Sequence, residues 1–116
     1  MAIQYVPDEQ IQAYIQKAMD DYATWGKGDN IDKLSFSYEV GSSYIKIISN
    51  SWGNTSVHSF IVNKVKPGQR YKSRIKDLVR VGDILMAASW KAPAMNFARG
   101  NIFELDNLDR VPWTGM

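Results

Sequence analysis

One stretch of this chain carries an unbroken helical repeat, and that restricts the folds open to it. Ile11, Tyr14, Ile15, Ala18, Met19, Tyr22 and Trp25 recur at three- and four-residue steps, so residues 8–25 predict a helix with a continuous apolar stripe. Asp8 stands where a side-chain cap belongs, Glu9 suits the positive end of the helix dipole, and Gly26 and Gly28 are expected to stop the helix. The period then changes from near four to two. Leu34, Phe36, Tyr38 and Val40 alternate with Ser35, Ser37 and Glu39, the pattern of a strand with one buried face. A helix of this kind must bury its stripe on something, and a half-buried sheet is the partner at hand.

Further strands follow from the same alternation. Gly41 and Ser42 form a short turn into a second strand, Tyr44–Ile48, so the pair is expected as a hairpin. Asn50–Thr55 is expected as a loop. Ser56–Val62 is expected as a third strand, with Val57, Ser59 and Ile61 on one side and His58, Phe60 and Val62 on the other. Pro67 and Gly68 break the pattern, and Ser73–Val81 predicts a short basic helix with Ile75, Leu78 and Val79 as its apolar side. After Gly82 and Asp83 come a fourth strand, Ile84–Ala88, and a short last one, Asn101–Glu104. Val111 and Trp113 would anchor the tail. The prediction is a single α+β domain over 1–116: a long N-terminal helix packed on an antiparallel sheet of four to five strands.

Charge and composition exclude several classes. The net charge of +2 gives no global attraction to nucleic acid or a membrane. The charge is unevenly placed: Lys64, Lys66, Arg70, Lys72, Arg74, Lys76 and Arg80 face only Asp77 in their segment, whereas acids dominate residues 8–39. With no cysteine, disulfides, thiol nucleophiles and thiolate metal sites are excluded, and a reducing cytoplasm is the expected compartment. The first residues lack the basic start and apolar core of a signal peptide, and no apolar run reaches the length of a membrane span.

Residues 82–103 hold the chemistry. Trp90, Lys91, Pro93, Asn96, Phe97, Arg99, Gly100 and Asn101 crowd a connection flanked by apolar strands. Trp90 and Phe97 offer stacking faces, and Arg99 offers a fork of donors matched to a phosphate. Lys91 adds a second cation. Asn96 and Asn101 can read a base or ribose edge, and Gly100 lets a ligand approach the backbone. Tyr22 or Trp25 of the helix could edge into the same pocket. Structural alternatives stay open: Trp90 could be core, and Arg99 could pair with Asp83 or Glu104. Catalysis has little support. His58 is the single histidine and sits inside a strand, no nucleophilic triad or metal-ligand spacing is present, and neither a P-loop nor a dinucleotide fingerprint occurs. No enzyme activity, metal or cofactor is therefore expected.

Ser56–Ile61, Gly82–Leu85, Ala87–Ala94, Asn96–Phe103 and Trp113–Gly115 resemble small proteins encoded by tailed bacteriophages, and the closest functional parallel is the first type of anti-Thoeris protein. The resemblance covers the C-terminal half and the strand before it. It implies a sponge that binds cyclic ADP-ribose isomers made by bacterial TIR enzymes and hides them uncleaved, in the cytoplasm of the infected host. It also implies a homo-oligomer, a dimer or larger, with the ligand at or near a subunit interface. On that resemblance Arg99 would grip a phosphate, Asn101 a ribose or base, and Trp90, Phe97 or a helix aromatic would stack on adenine. Two rival expectations remain: a phage protein that inhibits an acidic host protein through segment 64–80, and a single-stranded nucleic-acid binder.

Overall fold

The computed structural model describes residues 3–24, 34–72, 77–108, 111–112 and 114–115. The chain runs α1 (Asp8–Tyr22), β1 (Leu34–Val40), β2 (Tyr44–Ser51), β3 (Asn54–Val62), β4 (Asp83–Leu85) and β5 (Gly100–Asn101), then winds as 3-10 turns over Ile102–Asn107. The five strands form one antiparallel sheet in the order β1-β2-β3-β4-β5. This is the α+β fold expected, with α1 shorter than its periodicity suggested.

The stripe of α1 does what its spacing requires. Ile11, Tyr14 and Ala18 are buried with Ile45, Ile47, Ile61, Ile84 and Ile102 in one core cluster, and Phe36, Tyr38 and Val40 of β1 pack against it. Asp8 is not the cap. Pro7 occupies the cap position in extended backbone without a side-chain cap bond, and its carbonyl accepts from Gln10 and Ile11 at 3.0 and 3.2 Å. The Asp8 carboxylate instead accepts from Gln4 at 2.7 Å and from the Tyr38 hydroxyl at 2.5 Å, pinning the helix start to β1. The expected stop at Gly26 and Gly28 lies outside the described residues.

The opposite face of the sheet is covered as well. Phe60, Val62, Tyr71, Val79 and Leu85 form a second buried cluster, joined by Tyr44, Val57, Val65, Ala87, Met95 and Ala98. Two loop regions, one on each side of β4, thus do for this face what α1 does for the other.

Three boundaries differ from expectation, each for a local reason. The loop at 50–55 is a two-residue turn, because Trp52 and Gly53 both take positive φ, 54° and 83°, which lets β2 and β3 extend into a long hairpin. Segment 77–81 is not helical: Leu78 bridges Arg70, and the Tyr71 and Val79 amides donate to the Asp77 and Gln69 carbonyls. Residues 73–76, the rest of that expected helix, lie outside the described residues, as does Trp113; Val111 is fully buried. The expected fourth and last strands are shorter, because the chain leaves β4 at Met86, and Asn101 caps the following turn by accepting from the Phe103 amide.

The strict alternation expected for β3 fails at His58. Ile47 pairs with Ser59 but Ile48 pairs with Val57, so His58 is an extra, bulged residue. The bulge turns His58 toward α1, edge-on to Tyr14 and Phe36, and moves Val57 to the other face. There Nε2 lies 2.7 Å from the Pro112 carbonyl, which can only accept, so Nε2 carries the proton. Nδ1 then accepts from the Ser59 hydroxyl at 2.9 Å, and Ser59 accepts from the Tyr14 hydroxyl at 2.7 Å. Burial holds the His58 pKa below its ordinary value, opposed by the bond to Pro112. The fold therefore favours neutral His58: its contribution is complete above the ordinary value and is lost as pH falls through the lowered one. Urea denaturation should show stability declining between about pH 7.5 and about pH 5. A His58→Gln protein, less stable at the upper pH, should lose less over that interval; equal losses would contradict the assignment.

Candidate functional site

A cleft opens beside β4 and β5. It is built on Asp83, the first residue of β4, whose side chain points to the loop-covered face and is only 2% exposed. Its carboxylate accepts from the Tyr71 hydroxyl at 2.7 Å, the Arg80 backbone amide at 2.9 Å and the Asn101 amide nitrogen at 3.0 Å. The Arg80 guanidinium adds a looser contact at 3.7 Å and reaches Glu104 at 3.1 Å. A buried carboxylate is costly unless it is hydrogen-bonded, and here three donors serve it. Burial, and then the bond to Asp83, hold the Tyr71 phenol well above its ordinary pKa, so Tyr71 stays a donor.

Around this anchor lies a cavity of about 740 Å³ lined by Tyr71, Asp77, Leu78, Arg80, Asp83, Phe97 and Ala98. A second hollow of about 330 Å³ shares Arg80, Asp83 and Ala98 with it and continues along Arg99, Gly100, Asn101 and Glu104. Phe97 is 47% exposed, and the Arg99 guanidinium lies over its ring at 4.4 Å. Arg99 also donates to the Met86 sulfur at 3.5 Å. Among the described residues no carboxylate lies within ion-pair distance of Arg99; the acids expected as its alternative partners, Asp83 and Glu104, are both taken by Arg80.

The other expected site residues divide. Trp90 and Lys91 sit at the tip of an excursion closed by the Ala87–Pro93 bridge and by Ala88 and Ser89 amides donating to the Ala92 carbonyl. Trp90 is exposed, not core, with the Lys46 ammonium 4.7 Å from its ring centre. Lys91 lines a separate hollow of about 250 Å³ with Glu39, Tyr44, Lys46 and Phe60. Neither hollow of the cleft includes Trp90 or Lys91. Asn96 is exposed.

Three expectations need physical correction. Asn101 is 5% exposed; its nitrogen donates to Val81 and Asp83 and its oxygen accepts from Phe103, so both of its donors are spent on positioning the cleft wall. Gly100 admits a side chain of the protein itself, since an added Cβ would lie 2.6 Å from Leu108. Tyr22 is fully buried in α1 and lines neither hollow of this cleft. Trp25 lies outside the described residues. Reasoning from the sequence missed Tyr71, Leu78, Arg80 and Asp83. Their signal is present: the basic segment ends in Asp77–Arg80 shortly before Gly82-Asp83, but its local pattern predicts a helix and then a turn.

Among the described residues, no helix is long and apolar enough to cross a membrane, and no three His, Asp or Glu side chains gather to hold a metal ion. No protein-family model matches the chain, and no curated protein or solved structure is detectably similar to it.

The role of Asp83 sets a stability contrast. Tyr71→Phe removes a donor from a buried charge and should cost about 2 kcal/mol. Arg80→Ala removes an exposed ion pair but leaves the backbone amide in place, and should cost less than about 1 kcal/mol. Urea denaturation of the two variants checks the order; a reversed order would remove Asp83 from the centre of the cleft.

Proposed function

We propose that the protein binds a small phosphate-bearing ring compound in this cleft and holds it without chemical change. The observation that carries this reading is Arg99, a guanidinium with no carboxylate partner among the described residues, held 4.4 Å from the ring centre of an exposed phenylalanine at the cleft wall. That arrangement offers forked donors to a phosphate while Phe97 and Leu78 offer apolar contact to a ring. The cavity volume falls within the range of small-ligand sites. Asp83, the buried acid of the cleft, is poorly placed to act as a general base, because three donors are already directed at its carboxylate.

The resemblance to anti-Thoeris sponges supplies the ligand class: a cyclic ADP-ribose isomer, sequestered in an infected bacterium by a phage-encoded homo-oligomer. Sequestration works by mass action, and competing with a receptor takes sub-micromolar affinity, about −8 kcal/mol or better. Arg99 is the phosphate contact and Phe97 the ring contact. Arg80 is a second phosphate donor once released from Glu104, a surface pair of small net worth.

Isothermal titration with cyclic ADP-ribose isomers tests this. The unmodified protein should bind with weak salt dependence and return the ligand intact on denaturation. Arg99→Ala should weaken binding by about tenfold to a hundredfold, and Trp90→Ala should leave it unchanged. An Arg99→Ala protein that binds normally would overturn the site, recovery of a cleaved product would overturn the non-catalytic reading, and affinity for single strands falling linearly with log salt would favour the nucleic-acid alternative.

A further inference from the structure

The two edges of the sheet are treated differently. The β5 edge is two residues long and passes at once into 3-10 turns. Natural sheets blunt their edges in this way, or with bulges, prolines and lysines. The β1 edge has none of these. It is seven residues long, its pairing with β2 runs from Leu34 to Val40 without a register shift, and it contains no proline and no basic residue. No described residue pairs with its outer side. Its solvent face carries Ser35, Ser37 and Glu39, and its other face carries the half-buried rings of Phe36 and Tyr38.

We propose that β1 is a self-pairing edge, joining two copies of the chain through an antiparallel β1–β1 contact centred on Ser37. The register follows from the sequence of the strand. Paired residues must point to the same face, and a two-fold axis must relate the copies. Only one such register uses all seven residues: Ser37 opposite Ser37, Phe36 opposite Tyr38, Ser35 opposite Glu39 and Leu34 opposite Val40. It sets an aromatic pair on each side of the axis and places the one charge opposite a hydroxyl. Sliding the strands toward their ends to bring Glu39 against Glu39 would both shorten the contact and oppose like charges. The joined sheet would have ten strands, with both β1 edges removed and the two clefts at its far ends beside β4 and β5. This specifies how the copies of the proposed oligomer meet, and it leaves each cleft complete within one chain.

The absence of cysteine makes the test direct. Ser37→Cys should form a disulfide-linked dimer under mild oxidation, because directly opposed strand residues lie within disulfide reach, whereas Thr55→Cys, on the exposed β2–β3 hairpin, should not. In sedimentation equilibrium, Ser35→Glu should weaken the dimer by about tenfold, since it opposes Glu39 twice by symmetry, and Ser35→Lys should preserve or strengthen it. A chain that remains monomeric throughout would overturn the proposal, as would a dimer that Ser35→Glu leaves intact and Ser37→Cys fails to capture. The Ser35→Glu protein should still bind the cleft ligand, so loss of the dimer and failure of the ligand reading are separable.

Discussion

The cleft depends on one buried carboxylate. Asp83 begins β4, and its bonds to Tyr71, the Arg80 amide and Asn101 draw together three parts of the chain that sequence keeps apart. Through Tyr71 it fixes the segment over the second face of the sheet. Through Arg80 it fixes the approach to β4, and through Asn101 it fixes the short β5 and the turn after it. The orientation of Arg99 is set by these same elements, since its amide donates to the Ile84 carbonyl at 2.7 Å, one residue from Asp83. Asp83 is satisfied from within, and the exposed Arg99 beside it has no acid partner among the described residues.

A second constraint separates scaffold from site. The bulge at His58 brings histidine, Ser59 and Tyr14 together on the helix face, where they tie α1, β3 and the tail at Pro112 into one buried network. The other face is covered by loops, whose packing through Tyr71, Val79, Met95 and Ala98 leaves a concave margin. Rigid core on one side and irregular cover on the other is the usual division between stability and binding.

Much of the frame was legible in the sequence because it rests on periodicity. The α1 stripe, the alternation of β1, the first hairpin and the antiparallel α+β class all follow from local pattern. The misses share a cause: each depends on a partner distant in sequence, or on a backbone choice with no residue signal. Trp52 in a positive-φ turn position lacks the usual Asn-Gly signature. The His58 bulge is invisible to strict alternation. Asn101 looked like a ligand-reading amide because nothing nearby in sequence announced Asp83 and Val81 as its partners. Trp90 and Arg99 are nine positions apart, yet the Ala87–Pro93 bridge carries Trp90 away while β5 keeps Arg99 at the cleft. Asn63 is a further case: fully buried, it bonds Tyr5, Ile3 and Gly41 and so fastens the N-terminal segment to the β1–β2 turn, with no motif to mark it.

The most direct measurement of the central claim is a residue-resolved NMR titration with a cyclic ADP-ribose isomer. If the cleft anchored by Asp83 is the binding site, amide shift changes will concentrate in residues 77–83 and 97–101 and leave Trp90 and Lys46 undisturbed. Changes centred on Trp90, Lys91 and Lys46, with the Asp83 region silent, would contradict the account.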